Sequence, residues 1–124
     1  MRTPGDGGRG IKNFVLQRMH EAGGNPCPPV IIGLGIGGSF DTAPILAKKS
    51  LLRPLDLPNP DPDLRQMEEG LLRLVNDLHI GPMGLGGKTT CLGVRINAAP
   101  CHIASLPLAV NIQCHSARHA EILL

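Results

Sequence analysis

Apolar and polar positions alternate with two different periods along the chain. Ile11, Phe14, Val15 and Met19 recur at helical spacing, Lys12, Gln17 and Arg18 fall elsewhere on the wheel, and Gly23-Gly24 supplies a left-handed stop. The pattern predicts a helix near 10–22. In NPCPPVIIGLGIGGSF, three prolines forbid a helix and Val30 to Ile36 form a continuous β-prone run, so a buried strand is expected near 30–36. A Gly turn follows. Ser39 or Asp41 can then cap a helix near 39–52 that turns Phe40, Ala43, Leu46, Ala47 and Leu51 inward and stops at Arg53-Pro54.

The segment PLDLPNPDPD holds its backbone extended and buries little, which marks a surface connector. Asp63 with Gln66 has the form of a capping box for a third helix near 63–78, whose apolar face carries Leu64, Met67, Leu71, Leu74 and Leu78 despite Gly70. IGPMGLGGKTT is a Gly-rich loop whose backbone can approach a ligand closely. Alternating Leu92, Val94 and Ile96 predict a strand near 91–97, and the apolar run Leu106 to Ile112 predicts another near 107–113, which Pro107 confines to an edge or a late start. SARHAEILL resumes helical character and ends on an apolar face. Strand, Gly turn and helix in succession give an α/β fold class, with mixed α+β as the alternative: helices packed on a small sheet.

Composition changes this picture in three ways. The chain has 124 residues, no Trp or Tyr and two Phe, so one core built from aliphatic side chains is expected over residues 11–124, behind a flexible Gly-rich lead-in at 1–10. A formal net charge of +2 with no basic run argues against nucleic acid as a partner. No apolar run reaches the roughly 20 residues of a bilayer helix, and the first ten residues lack the apolar centre of a signal peptide, so a cytoplasmic protein without membrane contact is expected. There, Cys27, Cys91, Cys101 and Cys114 are thiols, metal ligands or buried small hydrophobes rather than a disulfide framework.

Four constellations could carry chemistry. Gly35-Ile36-Gly37-Gly38 lacks the third Gly of a dinucleotide fingerprint, because position 40 is Phe, so a tight turn or a cradle for a small anion is the better reading. Leu85-Gly86-Gly87-Lys88-Thr89-Thr90 lacks the first Gly of a phosphate loop and precedes a strand, which leaves a Gly-rich turn or a Lys held near a carboxylate. Cys27 at the mouth of one strand and Cys114 at the end of another could bind metal as thiolates, or be buried hydrophobes; Cys91 and Cys101 lie in or beside strands, where packing is the simpler role. His102, His115 and His119 with Cys101 and Cys114 could form a zinc site, and Arg118 could reach a carboxylate; each also has an ordinary surface or core role.

Taken together, GGNPCPPVIIGLGIGGSFDTAPILAKKSLLRP, IGPMGLGGKTTCLGVRI and CHIASLPLAVNIQCHSARHAE resemble the iron-sulfur class I fumarases and L(+)-tartrate dehydratases, in the alpha subunit or the equivalent N-terminal domain. The resemblance covers about residues 10–124. It implies a hydro-lyase of a small dicarboxylate, with Cys27 and Cys114 as two of three ligands of a 4Fe-4S cluster whose fourth iron binds substrate. It also implies that His102 relays a proton in partnership with an aspartate, so that His102 and Cys114 would flank one pocket. That aspartate and the third cysteine belong to a Cys-Gln-Asp-Thr motif which this chain does not contain.

The catalytic base and the arginines and lysine that bind carboxylates would lie in a beta subunit or C-terminal domain, so homo- or hetero-oligomeric association is expected. Starting at Met1, the chain would carry the later half of an alpha domain, as a fragment or one piece of a divided enzyme. The rival readings are a non-catalytic interaction partner or remnant without a cluster, and a zinc-stabilised domain.

Overall fold

A computed structural model of the chain describes residues 7–26, 28–39, 41–52, 59–81, 84–87, 89–101 and 106–113, with Cys101 described by its backbone. Helix α1 spans Gly7–Ala22 and lays Ile11, Val15 and Met19 along one buried stripe. Its stop is Gly23, at φ +52°, whose N–H donates to the Met19 carbonyl at 3.0 Å. The expected lead-in is therefore shorter than ten residues: positions 7–10 already belong to the helix, and 1–6 lie outside the described residues.

Strand β1 covers Val30–Gly38, two residues beyond the expected end, because Gly37 and Gly38 at φ +87° and +68° continue the pairing through a register shift. Helix α2 spans Thr42–Ser50. Of its two candidate caps, Ser39 makes the bonds: Thr42 N–H donates to Ser39 Oγ at 3.2 Å and Ser39 N–H donates to Thr42 Oγ1 at 2.6 Å, a reciprocal box. Asp41 makes no side-chain cap.

Helix α3, Pro62–Asn76, starts differently from its expected Asp63/Gln66 box. Asp61 is the cap, accepting from the N–H groups of Asp63 at 2.9 Å and Leu64 at 3.4 Å, with Pro62 in the first helical position where its missing N–H costs nothing. The inward face is also rotated. Glu68, Leu71 and Val75 are the buried residues, with Leu64, Met67, Leu72 and Leu78 at the margin of the core.

Strands β2, Cys91–Cys101, and β3, Leu108–Gln113, flank β1 in the order β2-β1-β3. β2 is parallel to β1 and β3 is antiparallel to it, so the sheet is mixed. β2 runs four residues past its expected end and includes Pro100, which an edge strand accommodates. Directly opposed residues share a face. One face carries Val30, Ile32, Leu34, Val94 and Ile96 against the stripes of α1 and α3, with Leu108, Val110 and Ile112 at its border. Each fully buried aliphatic side chain there contributes about 2 kcal/mol.

The other face is covered by α2, which packs on all three strands. The expected α/β class thus takes the form of three layers: α2, the sheet, then α1 with α3. Gly33 and Gly35 make the upper layer possible. A Cβ on Gly35 would run into the Ala43 carbonyl oxygen and lie 2.7 Å from Ala47 N, and one on Gly33 would meet the Ala47 carbonyl and Ser50 Oγ. Gly33 and Gly35 are the floor on which α2 rests.

Gly35→Ala is therefore expected to destabilise the chain by about 2 kcal/mol through overpacking. Gly70→Ala, at a helical site where an added Cβ meets nothing within 4 Å, should stabilise by about 0.5–1 kcal/mol. Urea midpoints of the two variants check both signs.

Candidate functional site

The three expected site residues, Cys27, His102 and Cys114, lie outside the described residues, as do Phe40, Lys88, His115, Arg118 and His119. The residues beside them in sequence are described. Cys27 follows Pro26 and precedes the buried Pro28, whose bond to Pro29 is cis, and β1 begins at Val30. Cys114 follows Gln113, the last residue of β3, which pairs with Ile31. The antiparallel register thus brings the start of β1, three residues after Cys27, and Gln113, the residue before Cys114, to one end of the sheet.

His102 has a different neighbour. Cys101 closes β2 opposite Gly38, eight positions along β1 from Val30 and roughly 26 Å away at strand spacing. The strand residues that adjoin His102 and Cys114 thus lie at opposite ends of β1.

The end that gathers the cysteine segments is built tightly. Gly81, Gly84, Gly86 and Gly87 all have positive φ, and the loop closes on itself through Gly86 N–H to the Ile80 carbonyl at 2.8 Å and Gly84 N–H to the Gly81 carbonyl at 3.0 Å. A Cβ on Gly84 would lie 2.6 Å from Gly24 Cα, so this loop presses on the turn that leads into Cys27. Asn76 Oδ1, at the end of α3, accepts from the N–H groups of both Thr90 and Cys91 at 2.8 Å. Fully buried Thr90 accepts from Gly81 N–H through its hydroxyl at 3.1 Å. Loop, helix end and strand start are one hydrogen-bonded unit.

Cys91 sits within this unit but is a packing residue, as its strand position suggested. It is 2% exposed, its Sγ donates to the Gly93 carbonyl at 3.1 Å, and burial pushes the thiol up to about 12. Buried and held protonated, it is a poor nucleophile. Among the described residues no three His, Cys, Asp or Glu side chains gather as a metal site.

The buried polar centre that the sequence reading passed over is Glu68. Its Oε1 accepts from Ile96 N–H at 2.9 Å and from Asn59 Nδ2 at 3.0 Å, while Asn59 Nδ2 also donates to the Ile96 carbonyl at 3.0 Å. Two side chains thereby make the bonds that a fourth strand would make at Ile96. Arg95 Nη1 stands 3.6 Å from Glu68 Oε2, both side chains under a tenth exposed. The signal was present in the spacing: Glu68 lies three residues before Leu71 and seven before Val75, inside the apolar stripe.

The family model for fumarate hydratase (fumerase) matches residues 1–123. A Methanocaldococcus jannaschii protein provisionally named L(+)-tartrate dehydratase subunit alpha is 51% identical over 120 residues, 97% of this chain and 42% of its own length. The L(+)-tartrate dehydratase subunit alpha of Escherichia coli K12 is 36% identical over 121 residues, 98% of this chain and 40% of its own. That of Escherichia coli UTI89 is 35% identical over 119 residues, 96% of this chain and 39% of its own. The chain spans about two fifths of the length of the curated relatives it matches.

Two predictions test the buried groups. Glu68→Ala should destabilise by about 3 kcal/mol, read from its urea midpoint, because it strips the pairing from Ile96 and removes a buried carboxylate 3.6 Å from Arg95 Nη1. For Cys91, the unfolded thiol ionises near its ordinary value of 9.0 and the folded one near 12, so its contribution to stability is complete below pH 9 and is lost as pH rises toward 12. Urea midpoints should fall across that window, more in the wild type than in Cys91→Ala, and iodoacetamide near neutral pH should label Cys91 only when the chain unfolds.

Proposed function

Because the chain belongs to the fumarate hydratase (fumerase) family, we propose that it is part of the catalytic domain of a hydro-lyase acting on a small dicarboxylate. The reaction is the reversible addition of water across a carbon-carbon double bond, fumarate to malate, or the loss of water from tartrate to give oxaloacetate. In this reading Cys27 and Cys114 hold a 4Fe-4S cluster. The observation that carries it is the β1–β3 register, which delivers the segments next to both cysteines to one end of the sheet, beside the Gly-rich loop.

The donor chemistry fits such a group in part. Two cysteines adjoin one sheet end, and Cys91, committed to the Gly93 carbonyl, does not compete. The third thiolate comes from further polypeptide. When bound, the cluster supplies an open iron as a Lewis acid toward the substrate's carboxylate and hydroxyl.

The chain's own residues do the rest of its share. β1 and β3, anchored in the core through Ile32, Leu34, Val110 and Ile112, fix the strand ends from which Cys27 and Cys114 project in sequence. His102 moves the proton that accompanies the hydroxyl, in partnership with an aspartate from outside this chain. With its neighbour Cys101 at the far end of β1, His102 is the assignment that rests on family resemblance alone. The general base and the cationic groups that bind carboxylates come from a beta-type subunit or domain, as the alpha-subunit names of the relatives suggest. No helix among the described residues is long and apolar enough to cross a membrane. We place the protein in the reducing cytoplasm, where cysteine thiolates persist as ligands.

The test is iron, acid-labile sulfide and zinc content after purification without oxygen, of the chain alone and with its alpha- and beta-type counterparts from a relative. Iron and sulfide are expected together in the assembled sample and should be lost in both Cys27→Ser and Cys114→Ser, while His102→Asn keeps them and loses dehydratase turnover by about a hundredfold or more. Zinc without sulfide would replace this reading by a zinc-stabilised domain. An assembled sample with neither metal nor sulfide would leave a non-catalytic partner.

A further inference from the structure

The two edges of the sheet are finished in opposite ways. At the β2 edge, Asn59 and Glu68 occupy the backbone groups of Ile96 and α3 packs alongside. At the β3 edge, nothing among the described residues pairs with the strand, and its six residues, LAVNIQ, are all half-buried.

Which backbone groups face outward follows from the register. Gly37 N–H donates to the Pro107 carbonyl at 2.8 Å, so 37 and 107 are a hydrogen-bonded pair, and in an antiparallel ladder such pairs alternate. Ala109, Asn111 and Gln113 therefore bond to β1, while the N–H and C=O groups of Leu108, Val110 and Ile112 point away from it. The side chains of these same three residues border the core on the α1–α3 side. No charged residue interrupts the strand, and edges that must stay unpaired are ordinarily protected by charge or by a covering element. Among the described residues, this edge combines unpaired backbone groups with a half-buried apolar face.

We propose that the outer edge of β3 is the docking site for an extended strand from alpha-type polypeptide outside these 124 residues. The inference rests on the family assignment and on the reading that this chain works with further polypeptide. The length of the relatives favours this occupant, since about three fifths of each lies outside the match. A second copy is the weaker fit: six residues of edge pairing bury far less than the roughly 1,200 Å² of a stable interface. A segment held in place by the rest of its own subunit needs only local pairing, with apolar side chains alternating to meet Leu108, Val110 and Ile112.

The experiment is residue-resolved amide exchange on the isotopically labelled chain, alone and mixed with the unlabelled segments of the Methanocaldococcus jannaschii relative outside its matched 120 residues. Amides of Leu108, Val110 and Ile112 should exchange freely in the chain alone and slow by about tenfold or more on mixing, with Ala109, Asn111 and Gln113 protected throughout. Val110→Pro removes the central outward N–H without removing a bond to β1 and should abolish the added protection; retained protection of Ile32 and Leu34 reports an intact sheet. Val110→Lys, a charge placed on the edge, is the second variant and is read the same way.

Three outcomes overturn the proposal. They are unchanged exchange on mixing, slow exchange of the three amides in the chain alone, and protection that grows with the chain's own concentration, which would make the occupant a second copy. Because amide exchange registers neither cluster nor turnover, loss of the hydro-lyase reading would leave this result intact, and the converse holds.

Discussion

The approach of α2 to β1 is the constraint from which the rest of the molecule follows. A helix can sit this close to a strand only where the strand has no Cβ to offer, and Gly33 and Gly35 give that clearance beneath Ala43 and Ala47. With the upper layer seated, Val30, Ile32 and Leu34 are free to point the other way, where α1 and α3 enclose them. Because β1 is central, its placement fixes both neighbours: the starts of β1 and β2 coincide at one end, and β3 returns antiparallel to finish there. The arrangement of the three strands is thus a consequence of packing two residues with no side chain against two with small ones.

Much of this architecture is legible in the sequence because local chemistry determines it. The stripe of Ile11, Val15 and Met19 and the Gly23 stop need no tertiary information, and the late start of the last strand, at Leu108, follows from Pro107. The cap of α3 was displaced by two residues because Pro62 suits the first helical position, which makes Asp61 rather than Asp63 the residue before it. The apolar spacing puts Leu74 on the inward face of α3, where Glu68 and Val75 are buried instead, since a carboxylate on an inward stripe looks out of place without its partners at Asn59, Arg95 and Ile96. Those partners lie 9, 27 and 28 positions away and no periodicity announces them.

For the site, the sequence puts Cys27 before a strand and Cys114 after one. It does not say that the strands are antiparallel neighbours, which is what takes both segments to a common end. The parallel register of β2 takes the neighbour of His102 to the other end, a relation that spacing along the chain conceals, because the twelve positions from His102 to Cys114 include the whole of β3. The Gly35–Gly38 run shows the complementary limit. Its glycines suggest a ligand cradle, yet Gly33 and Gly35 serve a helix and Gly37 and Gly38 a change of register.

The contact between Gly84 and Gly24 has a consequence for how such a chain can vary. A side chain at 84 would meet the backbone of Gly24 at 2.6 Å, so the loop before β2 and the turn after α1 are meshed at one point. Neither can lengthen or change course there without displacing the other. Position 84 is therefore held to glycine by backbone sixty residues earlier in the chain, and no change of side chain at 24, already the smallest residue, would make room for one at 84.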